Sequence, residues 1–288
     1  AKERVPRLAK IPGLAFLPAT WALAAYDAGR ALRMPRVEQV EAFDVRFDRF
    51  FSSTQGAESI SLVRDAAGAE RMVARCAHMK RLEEAHGRTL ILFDDKDQVF
   101  RTLAKLDLDK DLDATSIATR ATINGKEYLY CAMPYPLLRI PATFEAFQDV
   151  WKYETFTCLE PGTRFEKEKS KLERGADGKV VWAYKKDTAS VSPTRQQQLI
   201  KAGVLKPEEA WYNLRDAESG KPVDAASGTV AYNAFKKRWI MLLCEKGGTS
   251  FLGEAWYAEA DAPEGPWRAA RKVITHDQYT FYNVVQHP

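Results

Sequence analysis

The sequence predicts an all-β fold, a β-propeller, on three observations. First, residues 227–267 (SGTVAYNAFKKRWIMLLCEKGGTSFLGEAWYAEADAPEGPW) read as short β-favouring runs separated by tight turns. Second, with an outer strand at Trp267–Ile274, four strands fall within roughly 45 residues, the size of one propeller blade. Third, units of four strands recur upstream with longer connections.

Within the clearest unit, Thr229–Phe235 is the first strand and Lys236-Lys237 the turn. Arg238–Cys244 returns as an apolar strand, Lys246-Gly247-Gly248-Thr249 turns again, and Phe251–Ala260 is an aromatic-rich third strand. The proline-bracketed turn Asp261–Pro266 leads into Trp267–Ile274.

Taken in order, residues 1–55 form a separate N-terminal segment. Pro18-Ala19-Thr20 caps a helix from Trp21, with Leu23, Ala24, Ala28 and Leu32 on its apolar stripe, and Val45–Phe51 alternates as a closing strand. The propeller domain, 56–288, begins with strands at Ser59–Asp65, Arg71–Ala77, Thr89–Phe93 and Val99–Leu106. The acidic run Asp107–Asp113 lacks the glycine and terminal glutamate of an EF-hand loop and reads as a solvated linker. Ile117–Ile123 and Lys126–Met133 flank Asn124-Gly125, the strongest short hairpin signal in the chain. Leu137–Ile140 and Trp151–Leu159 complete that unit, with a helical turn or loop at 141–147. A hairpin is expected between Arg164–Arg174 and Lys179–Lys186. Ser192-Pro193-Thr194 starts a helix ending at Gly203, and Pro207-Glu208-Glu209 starts a shorter one. Thr280–Gln286 begins a further strand, so the pattern reads as stopping mid-unit at Pro288. With Ala rather than Met at position 1, the chain reads as processed or truncated.

Composition bounds the partners. The 288 residues are 45% hydrophobic and 28% charged with a formal charge of +4, and the charges are interspersed. That argues against a nucleic-acid protein, which concentrates its basic residues in a stripe. Ile11–Leu32 is interrupted by Pro18, Asp27 and Arg30, too polar to span a bilayer. Cys76, Cys131, Cys158 and Cys244 form no CxxC pair. Only Cys76/His78 stands near metal-ligand spacing, and in isolation, so no metal and no cofactor are expected. The chain has no Gly-rich phosphate loop, GxSxG elbow or HExxH helix, which disfavours nucleotide enzymes, serine hydrolases and zincins.

The pattern Lys237–Leu242 followed by Glu254–Trp267 (EAWYAEADAPEGPW) resembles the blades of five-bladed β-propeller glycoside hydrolases, family 43-like enzymes and DUF4185-type proteins, best over Gly228–Pro288. The resemblance implies five blades, part of the C-terminal region lying beyond this sequence, and a funnel lined by the innermost strand of each blade. It also implies a sugar held there between a carboxylate base and a carboxylic acid. The innermost strands would be Ser59–Arg64, Ala118–Ile123, Thr229–Phe235 and Tyr282–Gln286, and none carries a mid-strand carboxylate.

Candidate catalytic residues are Glu254, a carboxylate beside the aromatic Trp256 that reads as a raised-pKa acid, and the pair His276 and Asp277 as base and orienter. Candidate sugar contacts are Tyr232, Asn233, Trp256, Tyr282, Asn283, Gln286 and His287. The expected function is a secreted or periplasmic carbohydrate-active propeller that hydrolyses a glycosidic bond. The alternative is a non-catalytic propeller serving as a carbohydrate-binding or protein-interaction module. Substrate, stereochemical outcome and oligomeric state are left open by the sequence.

Overall fold

The computed structural model describes residues 57–81, 84–106, 119–131, 134–282, 284 and 285. The expected helix from Trp21, the strand Val45–Phe51, the acidic run Asp107–Asp113 and the candidates Asn283, Gln286 and His287 lie outside the described residues.

The described residues are predominantly β, in three sheets. The first is a four-stranded meander of β1 (Ala57–Arg64), β2 (Glu70–Arg81), β3 (Glu84–Asp94) and β4 (Val99–Leu106), each antiparallel to the next. Its turns are built by aspartate side chains. Asp65 Oδ1 accepts from the backbone N–H of Ala67 and Ala69, and Asp94 Oδ1 from those of Lys96 and Asp97.

The second sheet runs β5 (Thr119–Ile123), β6 (Lys126–Cys131), β7 (Leu138–Pro141), β8 (Glu154–Thr157) and β9 (Ala183–Lys186). Asn124 and Gly125 both take positive φ, 51° and 75°, as a two-residue hairpin turn requires. Between β7 and β8 lies the short helix α1 (Phe144–Gln148), capped by Thr143 Oγ1 accepting from Ala146 N. The expected hairpin from Arg164 to Lys186 does not form as a unit. Of that pairing the isolated bridge Arg174–Val180 remains, Leu172 bridges back to Leu159, and β9 pairs with β8 instead. The stretch 164–174 lacks a period-2 apolar face, whereas Tyr184 buries its ring against Phe156 and Tyr130. Helix α2 (Pro193–Lys201) follows, capped by Ser192, and buries Gln196 and Leu199.

The third sheet is β11 (Ala225–Asn233), β12 (Arg238–Glu245), β13 (Glu254–Ala260) and β14 (Ala269–Thr275), with the two-residue β10 (Arg215–Asp216) parallel to β14 at the outer edge. Two boundaries differ from expectation. Phe251 lies in the loop before β13 and is exposed, and Trp267 precedes β14 and is 1% exposed in the core.

Strand alternation explains how the sheets stack. Along β6, Tyr128 and Tyr130 face one way, packing with Trp239, Met241 and Trp256 of the third sheet. Leu129 and Cys131 face the other way, packing with Val63, Val73 and Leu90 of the first. A strand buried on both faces reads as a continuous apolar run, which is why YLYC lacks polar alternation.

The first strands of the three sheets are joined by side-chain bonds. The Arg120 guanidinium on β5 donates to the Leu62 carbonyl on β1, and Thr119 Oγ1 donates to the Val230 carbonyl on β11. Ser227 and Thr229 on β11 donate to the carbonyls of Tyr282 and Val284 at 3.4 and 3.3 Å. Tyr282 and Val284 thus lie beside β11, where side-chain hydroxyls of β11 reach their carbonyls. The three sheets are arranged as successive blades, and the described residues do not close a ring. Among the described residues no helix is long and apolar enough to cross a membrane.

Candidate functional site at the loop end of the third sheet

The register Cys244–Ala255 puts Glu245, the last residue of β12, directly opposite Glu254, the first of β13. Both point to the face shared by Leu243 and Trp256, because side chains alternate along a strand. From β14, Lys272 is paired in register with Trp256 and Thr275 with Glu254. The hairpin loop 246–253 closes over this end.

Glu254 is 3% exposed. Its Oε1 accepts from Lys272 Nζ at 2.8 Å, from Thr249 Oγ1 at 2.5 Å and from Thr275 Oγ1 at 3.4 Å. The loop backbone presses on the other oxygen: a Cβ added to Gly248 would lie 2.3 Å from Glu254 Oε2. Glu245 is half-buried, and its Oε2 accepts from Trp256 Nε1 at 2.8 Å. The opposed Glu245 and Glu254 carboxyls interact, which favours a proton held between them.

Of the two, Glu245 is the carboxyl biased toward its protonated form. Burial and the hydrogen bond to Glu254 push Glu245 up to about 7, against the opposing Trp256 N–H. Burial raises Glu254 too, but the hydrogen bonds from Glu245, Lys272 and Thr249 outweigh it and hold this carboxyl at about 2. The raised-pKa acid expected at Glu254 is therefore its neighbour. Bringing two like carboxyls together disfavours ionising both, and the Lys272 ammonium and Thr249 hydroxyl on Glu254 favour its charged form.

The connection after β14 is pinned to the same hairpin. His276 N donates to the Gly253 carbonyl at 2.7 Å, and Ser250 Oγ donates to the carbonyls of His276 and Tyr279 at 2.8 and 2.9 Å. Thr280 Oγ1 donates to the Phe251 carbonyl at 2.8 Å. These bonds leave Phe251, Tyr279 and Tyr282 with 67%, 60% and 71% of their surface exposed around the loop end. His276 does not have the geometry of a base oriented by Asp277. Its Nδ1 accepts from Gln278 N at 3.0 Å and stands 3.8 Å from Asp277 Oδ1, beyond hydrogen-bond reach.

The remaining candidates divide between places. Trp256 is 4% exposed and covered by the Lys272 ammonium, 5.0 Å from its ring centre, so its contribution here is the N–H given to Glu245 rather than a stacking face. Tyr232 and Asn233 lie at the opposite end of the sheet, where Asn233 Oδ1 accepts from Lys236 N in the β11–β12 turn. Along β12, Glu245 is seven residues from Arg238, the residue paired with Asn233. At about 3.3 Å per residue the two ends are some ~23 Å apart. Glu245, Lys272 and Thr249 were not singled out from the sequence. Glu245 closes an apolar run, and only the register across an eight-residue loop brings it to Glu254. Among the described residues no group of three or more His, Cys, Asp or Glu side chains is placed to hold a metal ion.

No family model matches the sequence and no curated protein matches it. Among solved structures, similarity is found to the GH43_1 enzyme from Xanthomonas citri complexed with xylotriose, at 12% identity and a TM-score of 0.29, covering 76% of this chain and 73% of that one. A second is CoXyl43, a GH43 β-xylosidase/α-arabinofuranosidase from a compost microbial metagenome, at 11% identity and a TM-score of 0.27, covering 75% and 77%. Likeness at this level says nothing about which residues act or on what.

Proposed function

We propose that this chain is a carbohydrate-active β-propeller that hydrolyses a glycosidic bond, with Glu245 as the proton donor. The observation that carries the reading is the Glu245–Glu254 pair, in which burial and a like neighbour push one carboxyl up to about 7, beside exposed aromatic rings. A glycosidic oxygen leaves poorly as an alkoxide and needs such an acid. Exposed Tyr279, Tyr282 and Phe251 supply faces on which a pyranose ring can stack. In the reaction the Glu245 proton passes to the leaving oxygen, and Lys272 offsets part of the charge that builds on the pair. The water that attacks the anomeric carbon then restores a proton to Glu245.

The two carboxyls are in direct contact, closer than the ~5–9.5 Å that separates the acid from the nucleophile or base in glycosidases. They therefore act as one acid unit, and the reading requires a separate residue as nucleophile. The same contact favours a second reading, a propeller that binds sugar without cleaving it, in which the pair is a fixed acceptor for hydroxyl groups. An extracellular or periplasmic setting accords with either.

The test is a panel of oligosaccharides and aryl glycosides assayed for binding and for cleavage, with the wild type and Glu245→Gln. If Glu245 is the acid, the variant loses about 10²–10⁴-fold on natural substrates but little on glycosides whose leaving group needs no protonation. Equal losses on both kinds of substrate would remove Glu245 from that role. Binding without cleavage by the wild type would select the second reading, and neither binding nor cleavage would overturn both.

A further inference from the structure

The outer face of the third sheet carries a second feature that the glutamate pair does not use. An open groove of about 480 Å³ lies over β13 and β14, at the end of the sheet away from Glu245. Three arginines line it, Arg238, Arg268 and Arg271, together with Tyr257, Glu259 and Asp261. Its size is that of a small-molecule site.

The charges in the groove are unequally matched. Glu259 is taken up by Lys236 Nζ at 2.8 Å and by the Tyr257 hydroxyl. Asp261 is held by the Arg238 guanidinium, whose Nε is buried without a hydrogen-bond partner. Arg268 donates to the backbone carbonyls of Trp211 and Ala210 at 3.2 and 3.4 Å, and among the described residues no carboxylate pairs with it. Arg271 has no hydrogen bond or ion pair among the described residues and stands opposite Tyr257 in the β13–β14 register. Two cationic forks thus open onto the groove beside an aromatic ring.

We infer that this groove binds the acid group of an anionic saccharide, with Arg271 and Arg268 gripping the charge and Tyr257 flanking the sugar ring; the identity of the ligand as a sugar rests on the carbohydrate reading above. A planar carboxylate takes two parallel N–H bonds from one guanidinium, and a sulfate ester presents the same pair of oxygens, so both are accepted chemistries. Held here, an acidic residue of a polymer is anchored away from the end of the sheet where the glutamates sit.

The experiment is titration calorimetry on the full chain with four probes: an oligogalacturonate, a sulfated oligosaccharide, neutral xylotriose and inorganic sulfate. Each is measured with the wild type, with Arg271→Gln, and with Lys179→Gln as a control on an exposed turn of another part of the chain. An acidic oligosaccharide is expected to bind more tightly than xylotriose, to weaken as salt is raised, and to lose at least about tenfold in affinity in Arg271→Gln with no change in Lys179→Gln. Preference between the carboxylated and the sulfated probe identifies the acid. Equal binding of acidic and neutral sugars, or equal affinity in Arg271→Gln, overturns the inference. Sulfate bound through Arg271 with no saccharide bound at all would keep an anion site while overturning the carbohydrate reading. No binding of any probe overturns both. Because Arg271 holds no partner among the described residues, its substitution leaves the fold intact, and an unchanged urea midpoint confirms that a lost affinity is local.

Discussion

Replacing Glu245 with glutamine tests the electrostatics of the carboxyl pair without altering its shape. The amide introduced there can donate to Glu254 and accept from Trp256 Nε1, as the protonated acid does. In the wild type, the folded-state pKa of Glu245 is about 7 against a reference of 4.5. Between those values the folded chain binds more protons than the unfolded chain, so this group's contribution to stability is fully present below pH 4.5 and is lost as pH rises through about 7. The interval corresponds to roughly 3 kcal/mol; because solvent reaches Glu245, about 2 kcal/mol is the expected effect. Glu254 has the opposite sign. Its pKa is held at about 2, so its contribution is present above 4.5 and lost as pH falls toward 2. The assay is urea denaturation of both proteins between pH 4 and 8.5. The wild type should lose about 2 kcal/mol relative to Glu245→Gln between pH 4.5 and about 7 and little more above that, with the two nearly equal near pH 4.5. Parallel curves throughout would show that no proton is shared and would withdraw the basis for the acid assignment.

Two further perturbations probe the supporting structure. Lys272→Met leaves Glu254 buried beside Glu245 without its cation; since the lysine is partly exposed, a loss of about 1–2 kcal/mol is expected at pH 7, shrinking as pH falls and the pair becomes fully protonated, and a pH-independent loss would show that the lysine acts by packing alone. Gly228→Ala puts a Cβ 2.3 Å from the Leu242 carbonyl oxygen and 2.8 Å from Leu243 Cα, backbone atoms that cannot swing aside, so a cost of about 1–3 kcal/mol is expected in urea midpoint, and an unchanged midpoint would mean that β11 and β12 lie further apart than described.

Strand positions were legible because turns punctuate this chain chemically. Asn124-Gly125, Gly247-Gly248 and the Asp65 and Asp94 turns each fix where a strand stops, and the innermost strands followed as the first of each unit. Pairing was less legible. The stretch 164–186 contains a glycine turn and β-favouring residues, yet β9 finds its partner in β8, because the aromatic contacts of Tyr184 with Phe156 and Tyr130 are long-range and leave no local signature. The candidate site shows the same division. Glu254 could be picked out as a carboxylate beside a tryptophan, but its ionisation depends on Glu245 and Lys272, 9 residues before it and 18 after it, which arrive by register. His276 and Asp277 looked paired because they are adjacent in sequence, whereas the imidazole is committed to the backbone of Gln278.

The seams between the innermost strands have a consequence for how neighbouring sheets meet. Within each sheet, neighbouring strands are fixed at ladder spacing by main-chain bonds. Across the described seams the contacts are side-chain ones: a guanidinium on Leu62, hydroxyls on Val230, Tyr282 and Val284. Spacing across these seams thus depends in part on the reach of single side chains. Exchanging Arg120, Thr119, Ser227 or Thr229 for a longer or shorter donor would alter how neighbouring sheets meet while each sheet keeps its own ladder.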